Sequence, residues 1–172
     1  TDWYDAVIRN SAPQQQHNVS LSGGSEKTDY YVNFGYTDQE GFFKSKAMDY
    51  NRYNLRANLN AEVAKNLKAS IKINGIIDSK QRQYLSTWEV YKALWRASPN
   101  PEYFQKMSSD QLNLLAATDP DVSGYNKTTN KIFQSTMELE YAVPFVKGLK
   151  VKGMFSYDTS IADNSIFQKE YN

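Results

Sequence analysis

The sequence predicts an all-β fold: about six antiparallel, up-and-down strands forming part of the wall of a larger β-barrel, with one long, helix-containing loop. Three observations predict it. Apolar and polar residues alternate with period two in six separate segments. The connections between those segments run short, long, short, long, short. The composition is polar overall, with a mean hydropathy of −0.69, yet 14% of residues are aromatic and 13 are Tyr. Disordered chains are poor in aromatics, so disorder is excluded, and a sheet with one wetted face fits.

Each strand is justified by its alternation, because successive side chains of a strand point to opposite faces. In 16–23, Val19 and Leu21 alternate with Asn18, Ser20 and Ser22. In 28–38, Tyr30, Val32, Phe34 and Tyr36 alternate with Asp29, Tyr31, Asn33 and Thr37. The clearest case is 50–61, where Tyr53, Leu55, Ala57, Leu59 and Ala61 oppose Arg52, Asn54, Arg56, Asn58 and Asn60. In 67–78, Leu67, Ala69, Ile71 and Ile73 oppose Lys68, Ser70, Lys72 and Asn74. In 131–142, Phe133, Met137, Leu139 and Tyr141 oppose Gln134, Thr136, Glu138 and Glu140. In 149–159, Leu149, Val151, Phe155 and Tyr157 oppose Lys150, Lys152, Ser156 and Asp158. Each segment is near the ~9–11 residues that a tilted membrane strand needs.

The connections separate a membrane barrel from a soluble sandwich. Gly23 to Lys27, Glu62 to Asn66 and Pro144 to Gly148 are short turns. Asp38 to Asp49 and the stretch 79–130 are long loops. In an up-and-down sheet this order puts every short turn at one edge and every long loop at the other. Outer-membrane barrels have that asymmetry. Tyr36, Phe42, Phe43, Tyr50 and Tyr53 surround one long loop, and Tyr141 and Phe145 flank a short turn. These positions suit aromatic girdles at a lipid–water boundary. On this reading the wall belongs to a large transmembrane β-barrel with lipid on one side. Arg52, Arg56, Lys68, Lys72, Glu138 and Glu140 then face the wet lumen, with Lys150 and Lys152 beside them.

The long loop carries the one helix signal. Ser86-Thr87-Trp88-Glu89 reads as a capping box, and Trp88, Tyr91, Leu94 and Trp95 follow at helical spacing up to Pro99 and Pro101. Trp88, Tyr91 and Trp95 are candidate contacts for a ligand or partner; the plainer expectation is that the stripe packs the loop onto its own barrel. A second helical turn is expected at 110–117, and turns over 118–124.

Other chemistry is weakly represented. Twenty basic residues balance 19 acidic ones, which gives no reason to expect nucleic acid. Without cysteine there is no disulfide scaffold, thiol nucleophile or Cys-rich zinc site. The sole histidine, His17, lacks any partner at metal-ligand spacing. Asp119 and Asp121 lack the EF-hand pattern. Glu138 and Glu140 share a strand face, but nothing separates an acid from a nucleophile, so an enzyme is not expected. No cofactor is implied. No apolar run reaches the roughly 18 residues of a membrane helix, and the polar start Thr1-Asp2-Trp3-Tyr4-Asp5 is not a signal peptide, which suggests a mature form or an internal piece.

Several segments resemble a known family. They are Thr1-Asp2-Trp3, Ala12-Pro13, the run from His17 to Thr28, Tyr30-Tyr31-Val32-Asn33-Phe34-Gly35-Tyr36, Gln39-Glu40-Gly41 and Arg52-Tyr53-Asn54-Leu55-Arg56-Ala57-Asn58-Leu59. Leu139-Glu140-Tyr141, Pro144-Phe145 and Lys147-Gly148-Leu149 continue the likeness. Together they are similar to the early barrel of SusC/RagA-type TonB-linked outer-membrane proteins of Bacteroidetes. The likeness is specific over 1–78 and weak over 80–130.

The resemblance implies a plug domain, absent from this chain, ahead of a barrel of about 22 strands. It implies import of oligosaccharides or peptides across the bacterial outer membrane, a SusD-like surface lipoprotein as lid, and energy from the TonB complex. Residues 1–172 are then a partial barrel domain bathed by outer-membrane lipid. The competing reading is a soluble all-β carbohydrate-binding module, in which another layer would cover the Tyr53/Leu55/Leu59 face.

Overall fold

The computed structural model describes residues 2–97 and 114–169. Its centre is one antiparallel sheet of six strands in sequence order. The strands are β1 (Gln14–Gly24), β2 (Thr28–Glu40), β3 (Asp49–Ala64), β4 (Leu67–Gln83), β5 (Gly124–Ala142) and β6 (Lys150–Gln168). β1 and β6 are the two free edges, so the sheet is open. Among the described residues there are also four short helices: α1 (Trp3–Val7), α2 (Thr87–Arg96), α3 (Leu114–Thr118) and α4 (Pro120–Ser123).

The short turns gather at one edge. β1 and β2 join through a turn closed by Ser25 N–H donating to the Thr28 carbonyl at 2.6 Å. β3 and β4 join through Lys65 and Asn66, with Asn66 in the left-handed region at φ 68°. Asn tolerates that conformation better than most residues. A bulge between Glu62 and Ala64 precedes it. β5 and β6 join through a turn in which Val143 N–H donates to the Leu149 carbonyl at 2.9 Å.

The strands outrun their sequence-based bounds, mostly toward the long-loop edge. β4 continues to Gln83, β5 begins at Gly124 and β6 reaches Gln168. The two loops therefore shrink to 41–48 and 84–123. The reason is chemical. In these extensions both faces carry polar residues, such as Lys127, Thr129 and Asn130, so the alternation that marks a strand disappears while the backbone pairing persists.

Where the apolar core sits is the informative feature. Trp3, Val7, Phe43, Ala47, Val90, Leu94, Leu114 and Ala117 are buried. All of them lie in the helices or in loop 41–48, at the long-loop edge. Among the described residues, no apolar strand side chain is buried. Fully burying each larger member contributes ~1.5–3 kcal/mol, so this cluster is what holds the loops together. Backbone bonds stitch it: Arg9 N–H donates to Phe42 at 2.8 Å, and Lys44 N–H donates to Val7 at 2.9 Å. The Ser45 hydroxyl donates to the Thr118 carbonyl, and Arg9 pairs with Glu40. Phe43 thus belongs to this core, and not to a girdle at a lipid boundary as its sequence position suggests.

α1 had no strong sequence signal. Asp2 caps it by accepting from Asp5 N–H at 3.1 Å, and Trp3 and Val7 share its inward face at i, i+4 spacing. Residues 110–113 of the expected second helical turn lie outside the described residues, as do Pro99 and Pro101. α3 begins at Leu114.

Two glycines make opposite demands. Gly124 has φ 98°, and an added β-carbon would sit 2.0 Å from the Phe167 carbonyl oxygen. Gly75 has nothing within 4 Å of such an atom. Gly124→Ala should therefore cost ~1–3 kcal/mol from backbone strain, with the clash added. Gly75→Ala should be neutral or stabilising by ~0.5–1 kcal/mol. Denaturant unfolding of the refolded parent receptor carrying each change will separate them; equal effects would refute the assigned backbone.

Candidate functional site: a wall with two unlike faces

The register aligns apolar residues across the strands. One row reads Tyr30–Leu59–Ile71–Met137–Phe155. The next reads Leu21–Val32–Ala57–Ile73–Ser135–Tyr157. A third reads Val19–Phe34–Leu55–Gly75–Phe133–Thr159. All of these fall on the same side of the sheet, and no second layer covers them. Tyr53 is 45% exposed, Leu55 45% and Leu59 41%. A soluble module would have buried this face, and its exposure removes the main support for that reading.

The apolar face ends in defined borders. Toward the long loops, its last row is His17–Tyr36–Tyr53–Ile77–Lys131–Ile161, and the row beyond it is Gln15–Asp38–Asn51–Ser79–Thr129–Asp163. At this border His17 stacks on Tyr36 at 6.3 Å and Tyr36 lies 5.0 Å from Tyr53. The Tyr36 hydroxyl donates to Asn51 Oδ1 at 3.3 Å. Lys131 pairs with Asp163 at 3.0 Å. At the short-turn edge the border is Leu67–Tyr141–Val151. Tyr50 falls on the other face, with Arg52.

The opposite face is mostly polar, with Tyr31, Ile76, Ile132 and Met154 set among its polar side chains. The structure brings all six sequence-predicted residues, Arg52, Arg56, Lys68, Lys72, Glu138 and Glu140, onto it. Glu140 pairs with Lys150 and Glu138 with Lys152, both at 2.8 Å. These contacts tie β5 to β6, but the lysines are well exposed and the glutamates only half-buried, so each adds little stability. Between the charges run amides and hydroxyls. Asn74 donates to Gln134 at 2.9 Å, Asn60 to Asp29 at 2.7 Å, and Ser70 to Asn60 at 2.6 Å.

The loop helix divides the aromatic stripe. Ser86 caps α2 as the capping box predicts, accepting from Glu89 N–H at 3.2 Å. The buried face, however, is Val90 and Leu94, with Tyr91 partly covered against Phe43 at 6.5 Å. Trp88 and Trp95 point outward, 62% and 72% exposed. They therefore do not pack the loop onto the barrel. Trp95 Nε1 donates to the Tyr4 hydroxyl at 3.3 Å. Val90 was the residue that sequence reading missed; its spacing to Leu94 and Ala97 was the available signal. Asp119 caps α4 by accepting from Asp121 N–H at 2.9 Å. Among the described residues no group of three metal-ligating side chains gathers. No helix among them is long and apolar enough to cross a membrane, which says nothing about strands.

An open meander with one uncovered apolar face and one wetted, charged face is a piece of barrel wall. No protein-family model matches the chain. Over 73 residues it is 33% identical to a TonB-dependent receptor of Formosa agariphila, a stretch covering 42% of this chain and 7% of that protein. Over 59 residues it is 37% identical to the TonB-dependent receptor SusC of Bacteroides thetaiotaomicron, covering 34% and 6%. Its fold is similar to the RagAB peptide importer, in the closed-closed state (TM-score 0.63) and in the open-open state (0.64), each at 21% identity over 99% of this chain and 20% of the other. The chain thus matches only a small part of the length of these relatives, which are outer-membrane receptors and transporters. The chain is similar in sequence to TonB-dependent receptors including SusC, and its fold matches six strands of a barrel wall.

Neighbouring residues of α2 should respond very differently to truncation. Leu94→Ala should loosen the loop unit by ~2–5 kcal/mol, because it opens a cavity in the packed core of that unit. Trp95→Ala should leave it within about 0.5 kcal/mol, because its ring is solvated. Hydrogen exchange of α1 and loop 41–48 reports the difference. Faster exchange for the Trp95 variant than for the Leu94 variant would contradict the packing.

Proposed function

We propose that this chain is a barrel-wall segment of a bacterial outer-membrane, TonB-dependent importer of glycans or peptides that works with a SusD-like surface lipoprotein. It is not an enzyme: the polar face is a conduit wall. Energy from the TonB complex enters through parts of the receptor outside these residues. Trp88 and Trp95, displayed on the outer loop, and the partly covered Tyr91 between them are the candidate contacts for ligand or lid. Arg52, Arg56, Lys68, Lys72, Glu138 and Glu140 line the lumen.

The observation that carries this reading is the height of the uncovered apolar face. From Leu67 to Ile77 there are ten residue steps along β4. At ~3.4 Å per residue that is ~34 Å of strand, and at the ~45° tilt of membrane strands it stands ~24 Å tall. The apolar band of outer-membrane barrels is ~25 Å. Aromatic rings and a polar collar begin where that band ends.

The test uses adjacent positions on β4 in the intact receptor. Ile71→Arg places a guanidinium in hydrocarbon near mid-depth and should cost ~2–4 kcal/mol of folded barrel. Ser70→Arg, on the polar face, should be tolerated. Heat-modifiable migration of outer-membrane fractions gives the folded amount. Equal tolerance of both would refute a lipid-facing wall.

A further inference from the structure

The two halves of the polar face handle charge differently. On β5 and β6 the carboxylates Glu138 and Glu140 are already held by Lys152 and Lys150. On β3 and β4, Arg56 and Lys72 sit diagonally across the strand pair, and among the described residues neither makes an ion pair. Their cross-strand partners are neutral: Asn33 and Asn74 for Arg56, Asn58 and Thr136 for Lys72. Both cations are exposed. They rim an open recess of about 340 Å³, reached also by Gln134 and by Asp158. A second recess of about 490 Å³ shares Arg56 and Asn74 and extends to Arg52. Asp158 lies on β6, three strands and roughly 14 Å from Arg56 at ~4.8 Å per strand. That exceeds the ~8 Å screening length of physiological salt, so Asp158 leaves Arg56 uncompensated. Lys72 shares a recess with Glu138 and Glu140, but those carboxylates are held by Lys152 and Lys150.

We propose that Arg56 and Lys72 form a carboxylate-binding step on the conduit wall and that the solute passing it is an acidic oligopeptide. The inference rests on the importer reading and names its substrate class. Three features support it. A guanidinium presents a planar fork that fits a carboxylate through two parallel bonds, and the lysine adds a point charge beside it. The surrounding amides of Asn33, Asn58, Asn74 and Gln134 each offer a donor and an acceptor, matching the pairing needs of a peptide backbone. Sugar rings favour paired aromatic platforms, and among the described residues the two recesses offer a single ring, Tyr31, which lines the Arg56 recess two strands from Lys72.

The experiment uses the full-length receptor with its plug, in detergent, and calorimetric titration with three probes: a Glu-rich hexapeptide, the same peptide with Gln for Glu, and an oligouronide. Wild type should prefer the Glu peptide. The double variant Arg56→Gln/Lys72→Gln should weaken Glu-peptide binding about tenfold or more, the scale of a lost charged hydrogen bond, with the Gln peptide unchanged. Arg56→Lys should retain most of the preference. Parallel loss for both peptides would overturn the proposal, because it would mark a structural contact to the plug. So would an unchanged preference in the double variant. Loss confined to the oligouronide would overturn the peptide assignment. Wild type that binds neither peptide overturns the peptide importer itself, whereas wild type that binds both equally overturns only the acidic preference.

Discussion

Cross-strand register is the constraint on which the rest of this structure depends. Side chains alternate with period two, so each strand has two faces, but only pairing in register makes those faces continuous. Here Leu59 stands beside Ile71, and Ile71 beside Met137, while Asn58, Lys72 and Thr136 align on the other side. A slip of one residue in any strand would push lysine and asparagine into the apolar face. The short turns hold the register. Lys65 and Asn66 fix β3 against β4, and the ion pairs of Lys150 and Lys152 align β5 with β6.

The consequence is a division of labour. Among the described residues the sheet supplies no buried apolar core of its own; in the proposed importer, lipid covers its apolar face. The loops supply the packed core, built from Phe43, Val90 and Leu94 around α1. This arrangement places a rigid unit at the long-loop edge, above the apolar band. It also explains why Trp88 and Trp95 stay outside: the inward positions of α2 are already filled by smaller side chains that fit between α1 and α3. Aromatics on the outward face are then free to meet another molecule.

How much of this was legible in the sequence follows from the same physics. All six strands were readable because a boundary between hydrocarbon and water writes itself as alternation. The strand extensions, such as Tyr125 to Asn130, were not readable, because above that boundary both faces are wet. The placement of Arg52, Arg56, Lys68, Lys72, Glu138 and Glu140 on one face followed from parity alone. The helix start at Ser86 was readable because capping is local. Its orientation was not, since two rival stripes, Trp88–Tyr91–Trp95 and Val90–Leu94, have helical spacing, and only partners distant in sequence, Trp3 and Phe43, decide between them. Which lysines engage which carboxylates also depended on cross-strand neighbours that periodicity does not identify.

Alternation also sets which changes this wall can accept. Neighbouring residues of a strand lie on opposite faces, so a substitution at Arg56 or Lys72 alters the polar face and leaves Leu55 or Ile71 on the apolar one. In the proposed importer, solute preference can therefore be retuned without disturbing the apolar face. Insertions have no such freedom within β1 to β6, because a single added residue inverts everything beyond it. The loops are free of that rule, although Phe43, Ala47, Val90 and Leu94 still have a packed core to keep. The same period-two rule thus gives the inner wall its chemical latitude and confines changes of length to the outer loops.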